Sequence, residues 1–536
     1  MSRVAAIRPE PKAGFHAAMS RASQHLLLFA LIFAGLMLLH APLLRLPYFW
    51  DEAGYYVPAA RDLYLTGALI PTSTPSNAHP PLVMAWLALV WRVAGFSPLV
   101  TRTAMLALAA FSLLSFFRLA CAVANLRVAW ATTIATALYP VFFTQSSFAQ
   151  VDLPAAGLTF LGLLAYIEDS PLRLAVWFSL AALTKETAIL APTALAIWEL
   201  LVRIVRPRWQ TILPPANRKT GAAVLLLPVV PLACWYGYHY WKTGYVLGNP
   251  EYFRYNVRAT FSLLRIPIAL GLRLWQVFAY FGLYLLTMAG LLAMRRPPIT
   301  ENGLARARIA PWIQAAFLSV LLAYLGFMSL VGGAGLARYM LPVAPLVMLV
   351  WISTLWRRVR YWSAVVAAVM IVFVTGLFTN PPYGFSLEDN LVYRDFVVMH
   401  VEASRFLAMR YPGARVITAW PASDELTQPY LGYVAQPFPV VRLEDFTPAE
   451  IARAAAAYRQ FDVAFVFSTK FQPAHPMVEN WEAWQKVKAR FFGYHRDLSP
   501  EEIASRLGGK ILFRKERQGL WIAVIGTERA ENARVD

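Results

Sequence analysis

Apolar runs of about 20 residues recur along this chain from Leu26 to Phe378, and that is the length a helix needs to cross a hydrocarbon core. Short polar stretches, many of them basic, separate the runs. The alternation predicts about eleven helical spans, at roughly 25–44, 99–121, 127–145, 153–168, 171–185, 187–205, 220–241, 268–294, 311–331, 337–356 and 360–378. Leu26–Leu44 is too long for the apolar centre of a signal peptide, and no small-residue cleavage site follows it, so it reads as an uncleaved span. The segment His79–Phe96 is short and opens on His79-Pro80-Pro81. Counted as a span, it puts Arg206–Lys219 and Arg295–Arg308 outside, against the tendency of basic loops to stay in the cytoplasm. Read as a re-entrant or juxtamembrane helix, it leaves every strongly basic loop inside. The tail 1–24, with Arg3, Arg8, Lys12 and Arg21, is then cytoplasmic, and the C-terminus lies outside.

Past about residue 380 the pattern changes. Asn380–Gly384 reads as a loop. A helical pattern over Leu391–Arg410 precedes an apolar run, Arg415–Trp420, and a second over Pro448–Arg459 precedes Val463–Phe467. Lys510–Phe513 and Leu520–Ile525 read as further strands. The expected fold is a polytopic α-helical membrane protein, its transmembrane domain at 25–379, with a small soluble α/β domain at 380–536.

Composition agrees. Of the 536 residues 58% are hydrophobic and 15% charged, where a soluble protein carries nearer a quarter charged. A net charge of +19 would suggest nucleic acid in a soluble protein; here basic cytoplasmic loops account for much of it. Cys121 and Cys234 lie inside apolar runs and read as small buried hydrophobes, not as a disulfide or metal site.

Ionisable groups gather at one predicted face. The outer loop 45–98 carries Asp51-Glu52, a tyrosine-rich amphipathic segment and His79. Asp152, Lys185, Glu186 and Arg338 fall at span ends on that same face. Such groups at the mouth of a membrane domain are costly and mark pathways or reaction sites. Each also has a plain structural reading. Asp51 is suited to cap the helix starting near Ala53, with Glu52 in its first turn, and Asp152 is suited to cap the fourth span. Their chemical reading is a carboxylate base with a second carboxylate across the site. His79-Pro80-Pro81-Leu82 opens a helix with proline in its first turn, but histidine is a poor cap, and a helix start also attracts phosphate. Lys185-Glu186 either neutralises itself at a turn or serves the site. Arg338 either snorkels to the surface or holds a phosphate by its planar fork.

These motifs in this order resemble the GT-C glycosyltransferases: the acidic pair after the first span, HPPL, an aspartate opening the fourth span, and RYMLP near the end of the core. Within that group the chain is most similar to protein O-mannosyltransferases and the aminoarabinose transferases of lipid A, over roughly 25–360. The resemblance implies a sugar donor on a polyprenyl or dolichyl phosphate and transfer at the outer or lumenal face. It implies Asp51 as the catalytic acidic position, Asp152 as the second acidic position and Arg338 as a basic residue near the lipid phosphate. His79 falls where the aminoarabinose transferases often carry lysine and the mannosyltransferases carry histidine. The C-terminal α/β segment is more like that of the lipid A enzymes than a β-trefoil insertion.

The function expected is an inverting hexosyl- or pentosyltransferase of a bacterial inner membrane, with its active site on the periplasmic face. It would move a sugar from a polyprenyl-phosphate donor to a lipid, glycan or protein acceptor. Asp51, Glu52 and Asp152 are the candidate catalytic residues. Arg338, Lys185 and His79 are expected to meet the donor phosphate, and Tyr55, Tyr56, Glu186 and Tyr339 to contact substrate. Interface anchoring is the competing role for Tyr55, Tyr56 and Tyr64. No cofactor is implied, and the sequence leaves the need for a divalent metal open. A transporter or flippase would place charges near the midplane and break helices in paired halves, and no second half is evident. A non-catalytic scaffold for envelope assembly is the other alternative.

Overall fold

The computed structural model describes residues 21–528 apart from 206–211, 213, 216–217, 251–259, 261, 332, 334, 458–459 and 474–480. The expected cytoplasmic tail therefore lies, through residue 20, outside the described residues. So do much of the segment between the predicted spans 187–205 and 220–241 and part of that between 220–241 and 268–294.

A helix or a broken helix stands at each predicted span. Among the described residues five of them, Ala22–Leu43, Pro98–Val123, Ala222–Thr243, Arg265–Met294 and Pro311–Leu330, are long and apolar enough to cross a membrane, and the chain is an integral membrane protein. Others are shorter: Leu126–Leu138, Asp152–Ile167, Pro171–Thr184 and Trp362–Phe378 have 10–17 residues. Two breaks have local causes. Tyr139 is extended because it precedes Pro140, where the helical conformation is disfavoured. The Arg265–Met294 run bends at Phe281 (φ 46°) and Gly282 (φ 90°), and the turn brings Tyr280 inward. Asp152–Ile167 is buried on every side as far as Tyr166, as a helix at the centre of a bundle must be. It lies close against Pro98–Val123, where a Cβ on Gly157 would sit 2.7 Å from Ser112 Cα.

His79–Phe96 yields one helix, Leu82–Ala94. Its 13 residues span about 20 Å at 1.5 Å each, against a core of about 30 Å. One face packs Val83, Met84, Leu87 and Trp91 inward, while Leu89 and Val93 are exposed. Pro81 is its N-cap, so both prolines precede the helix instead of occupying its first turn. The cysteines also differ from expectation. Cys121 and Cys234 are free, as expected, but exposed, because each points from the outer face of its helix. An apolar run does not reveal which of its faces meets protein.

The C-terminal segment builds a five-stranded sheet. Its strands are β3 (Val416–Ala419), β4 (Val440–Leu443), β5 (Val463–Phe467), β6 (Lys510–Arg517) and β7 (Leu520–Gly526); β1 (Thr300–Glu301) and β2 (Leu304–Ala305) form a separate hairpin. The sheet order is β4-β3-β5-β7-β6, parallel across β4-β3-β5 and antiparallel across β5-β7-β6. Four strands fall in predicted segments; β4, short and only half buried, gave no such signal. The sheet shares a core with the loop after the first span. Tyr48, Phe49 and Val57 pack in one cluster with Tyr393, Phe396 and Phe467. Trp50 meets Trp420, just past β3, edge to face at 5.1 Å. The loop that carries Asp51 is thus clamped between membrane helices and sheet.

Candidate active site

Asp51 begins a helix that is wound as a π-helix over Glu52–Tyr56 and as an α-helix over Val57–Thr66. Trp50 before it has φ 49°, a left-handed backbone that bulky residues seldom adopt. Packing against Phe396 (5.8 Å) and Trp420 holds that turn. The Asp51 carboxylate makes no capping bond. It pairs instead with Nη2 of Arg338, 287 residues away in the chain.

Arg338 lies in the 3-10 turn Ala337–Met340 and is 2% exposed, so it does not snorkel to the surface. Its Nη1 donates to Gln150 Oε1 at 3.0 Å and pairs with Glu388, and its Nε lies 3.3 Å from Asp152 Oδ2. Asp152 is the first residue of its helix, not its cap, and its carboxylate also pairs with Lys185. The Lys185 Nζ sits 4.2 Å over the Tyr339 ring, and the Arg338 guanidinium 5.7 Å from it. The pair Lys185-Glu186 does not neutralise itself. Glu186 turns away to His79 Nδ1 at 2.8 Å, and the His79 ring stacks on Tyr56 at 5.8 Å. Burial opposes ionisation of Glu186, but His79 and then Lys185 outweigh it and hold the carboxyl down at about 2. Tyr55 lies 6.4 Å from Trp420, and Tyr64 meets Trp91 edge to face at 6.1 Å.

Glu52 belongs to a different assembly. Its oxygens accept from Arg102 at 2.8 and 3.0 Å, from the Ala149 amide at 2.6 Å and from the Phe49 amide at 3.0 Å. Both members of that ion pair are 0% exposed. Glu52 thus ties the loop to Pro98–Val123 and has no oxygen left for substrate. Glu52→Gln leaves Arg102 buried without a counter-charge, so unfolding should become easier by about 3 kcal/mol. A denaturant or thermal melt of the purified variant checks this; an unchanged midpoint would contradict it.

The sequence reading missed Glu388. It lies in the turn Leu387–Asp389 beyond the last predicted span, 3% exposed, and accepts from Arg338 and from Gln150 Nε2 (3.3 Å). Burial pushes its carboxyl up against the pull of Arg338. Its neighbour Asp389 faces the other way and accepts from the Tyr280 hydroxyl at 2.6 Å; burial pushes that carboxyl up to about 7. A signal was present: Glu388-Asp389 follows the last span as Asp51-Glu52 follows the first. In each pair one member reaches Arg338 and the other anchors the turn.

The cluster therefore holds three carboxylates, Asp51, Asp152 and Glu388, around two cations, Arg338 and Lys185. Fully ionised, it carries one net negative charge. Side-chain exposure is 21% for Asp51, 2% for Asp152 and 3% for Glu388. Only Asp51 is open to a reactant, while the buried members fix the guanidinium. Among the described residues no group of three or more His, Cys, Asp or Glu side chains is arranged to hold a metal ion.

No protein-family model and no curated protein matches the sequence. Solved structures do show likeness. ArnT from Cupriavidus metallidurans, bound to undecaprenyl phosphate, is similar at 14% identity and TM-score 0.49, over 94% of this chain and 98% of that one. The oligosaccharyltransferase AglB from Archaeoglobus fulgidus, in complex with an inhibitory peptide and a dolichol-phosphate, is similar at 12% identity and TM-score 0.45, over 94% of this chain and 74% of that one. The arabinofuranosyltransferase AftD from Mycobacteria is similar at 15% identity and TM-score 0.43, over 96% of this chain and 40% of that one. Each is a likeness of fold at low identity.

Proposed function

We propose that this membrane protein is a glycosyltransferase that moves a sugar from a polyprenyl phosphate to an acceptor at the outer face of a bacterial inner membrane. One observation carries the reading: an accessible carboxylate, Asp51, shares a buried guanidinium, Arg338, that is held on its far side by Glu388 and Gln150. A guanidinium fixed in that way presents a planar fork suited to a phosphate. The adjacent Asp51 is suited to take a proton from an acceptor hydroxyl as that oxygen attacks the anomeric carbon. The sugar–phosphate bond breaks on the opposite side, which inverts the anomeric centre. Negative charge growing on the leaving phosphate falls on Arg338, with Lys185 supporting it. His79 and Glu186 pair with each other and flank the site. Tyr339, under both cations, and Tyr56, under His79, shape the walls, and Tyr55 lies where an acceptor would pass.

The orientation follows from basic loops staying inside. A reporter fused after Arg208, outside the described residues, or after Arg296 is expected to read cytoplasmic, and one after Asn380 periplasmic. A periplasmic signal at Arg208 would contradict the re-entrant placement of His79–Phe96. The chemistry is tested by release of polyprenyl phosphate from a lipid-linked sugar by the purified protein.

A further inference from the structure

The charge count of the cluster poses a problem for any anionic ligand. Three carboxylates surround two cations, so a phosphate entering beside Arg338 would raise the net charge from −1 to −2 in a buried site. Such a site needs a compensating proton or the departure of an acid. Asp152 keeps Lys185 as its own cation. Asp51, the most open of the three, has to stay ionised to act as a base. Glu388 has no cation except Arg338, and its Oε1 is buried without a hydrogen-bond partner among the described residues. A neutral carboxyl there would still accept from Arg338 Nη1 through Oε2.

Building on the phosphate reading of Arg338, we propose that binding of the donor's phosphate is coupled to uptake of one proton by Glu388. Before binding, the guanidinium serves Asp51 on Nη2 and Glu388 on Nη1. The phosphate displaces Asp51 from Nη2, which frees that carboxylate to act as the base. Glu388 takes a proton from solvent, becomes the neutral acid and goes on holding the guanidinium from behind. The groups facing Glu388 are Arg338, Asp51, Asp389 and the neutral Gln150, with Asp152 one contact further through Arg338 and Lys185 beyond Asp152. Burial, which already raises the Glu388 carboxyl, favours this proton uptake. Asp389 is the competing acceptor, but its carboxylate is turned to Tyr280. His79 is paired with Glu186 on the Lys185 side.

The probe is the methyl ester of undecaprenyl phosphate, a diester that does not itself titrate near neutral pH. Its affinity for the full-length protein in detergent is measured from pH 6 to 9. The parent should lose affinity toward a limit of about tenfold per pH unit at the alkaline end, as linkage to one proton requires. Glu388→Gln, which copies the neutral acid, should bind with a flat profile and at pH 9 at least tenfold tighter than the parent. Asp389→Asn should keep the parent's slope. Calorimetry of the parent at pH 9, in two buffers of different ionisation enthalpy, should report close to one proton taken up per ligand, whatever the variants do. A flat parental profile with no proton uptake, or a slope that survives Glu388→Gln, overturns the proposal and leaves the phosphate reading standing. If the folded parent binds no diester at any pH, the phosphate reading fails and this proposal with it.

Discussion

Asp51→Asn is expected to cut turnover by about 10²- to 10⁴-fold, the range for loss of a general base. The fold should hardly notice. Asp51 makes no capping bond, so the helix after it loses nothing. The asparagine carbonyl can still accept from Arg338, which keeps Asp152 and Glu388 as counter-charges. The cluster moves from one net negative charge to none. Turnover and thermal midpoint, measured together, separate the outcomes. Near-parental turnover would leave Asp51 as a partner of Arg338 and nothing more.

Arg338→Ala is expected to abolish transfer and to destabilise the protein. Three carboxylates would lose the guanidinium they share, and breaking a buried ion pair from one side costs about 3–5 kcal/mol. Loss of activity in that variant alone would therefore say little. Arg338→Lys discriminates. Lysine keeps the charge, so stability should largely return, but it lacks the planar guanidinium that keeps Glu388 on one nitrogen while it offers another to the phosphate. The expected signature is a stable Arg338→Lys protein with residual turnover and a raised KM for the lipid-linked donor. If the stable lysine variant transfers sugar like the parent at every donor concentration, Arg338 holds the cluster together and does not touch the donor.

Much of this arrangement was legible along the chain because spans are countable. Once the basic loops are placed inside, Asp51, Asp152, Lys185 and Arg338 fall at one end of the bundle, and they are the residues found in contact. What was not legible is which member of each acidic pair faces the site. Asp51 and Glu52 are equivalent by sequence; the turn at Trp50 points one to Arg338 and the other to Arg102. Arg102 gave a signal that passed unused, since an arginine inside an apolar run needs a buried partner. Glu388 follows the last span in a second acidic pair, but what it touches was not legible. The stretch around it has no periodicity, and its partners lie 50 and 238 residues earlier in the chain. The Thr144 hydroxyl, which donates to the Glu388 carbonyl at 2.7 Å, holds that turn against the membrane helices.

Incubation of the purified full-length protein with a panel of polyprenyl-phosphate-linked sugars tests the central claim most directly. Released polyprenyl phosphate is the readout, with the Asp51→Asn protein as a folded control. The parent should consume at least one of these donors, and Asp51→Asn should consume it at least about 10²-fold more slowly. A folded parent that leaves every lipid-linked sugar intact, or an Asp51→Asn protein that keeps pace with it, would contradict the account.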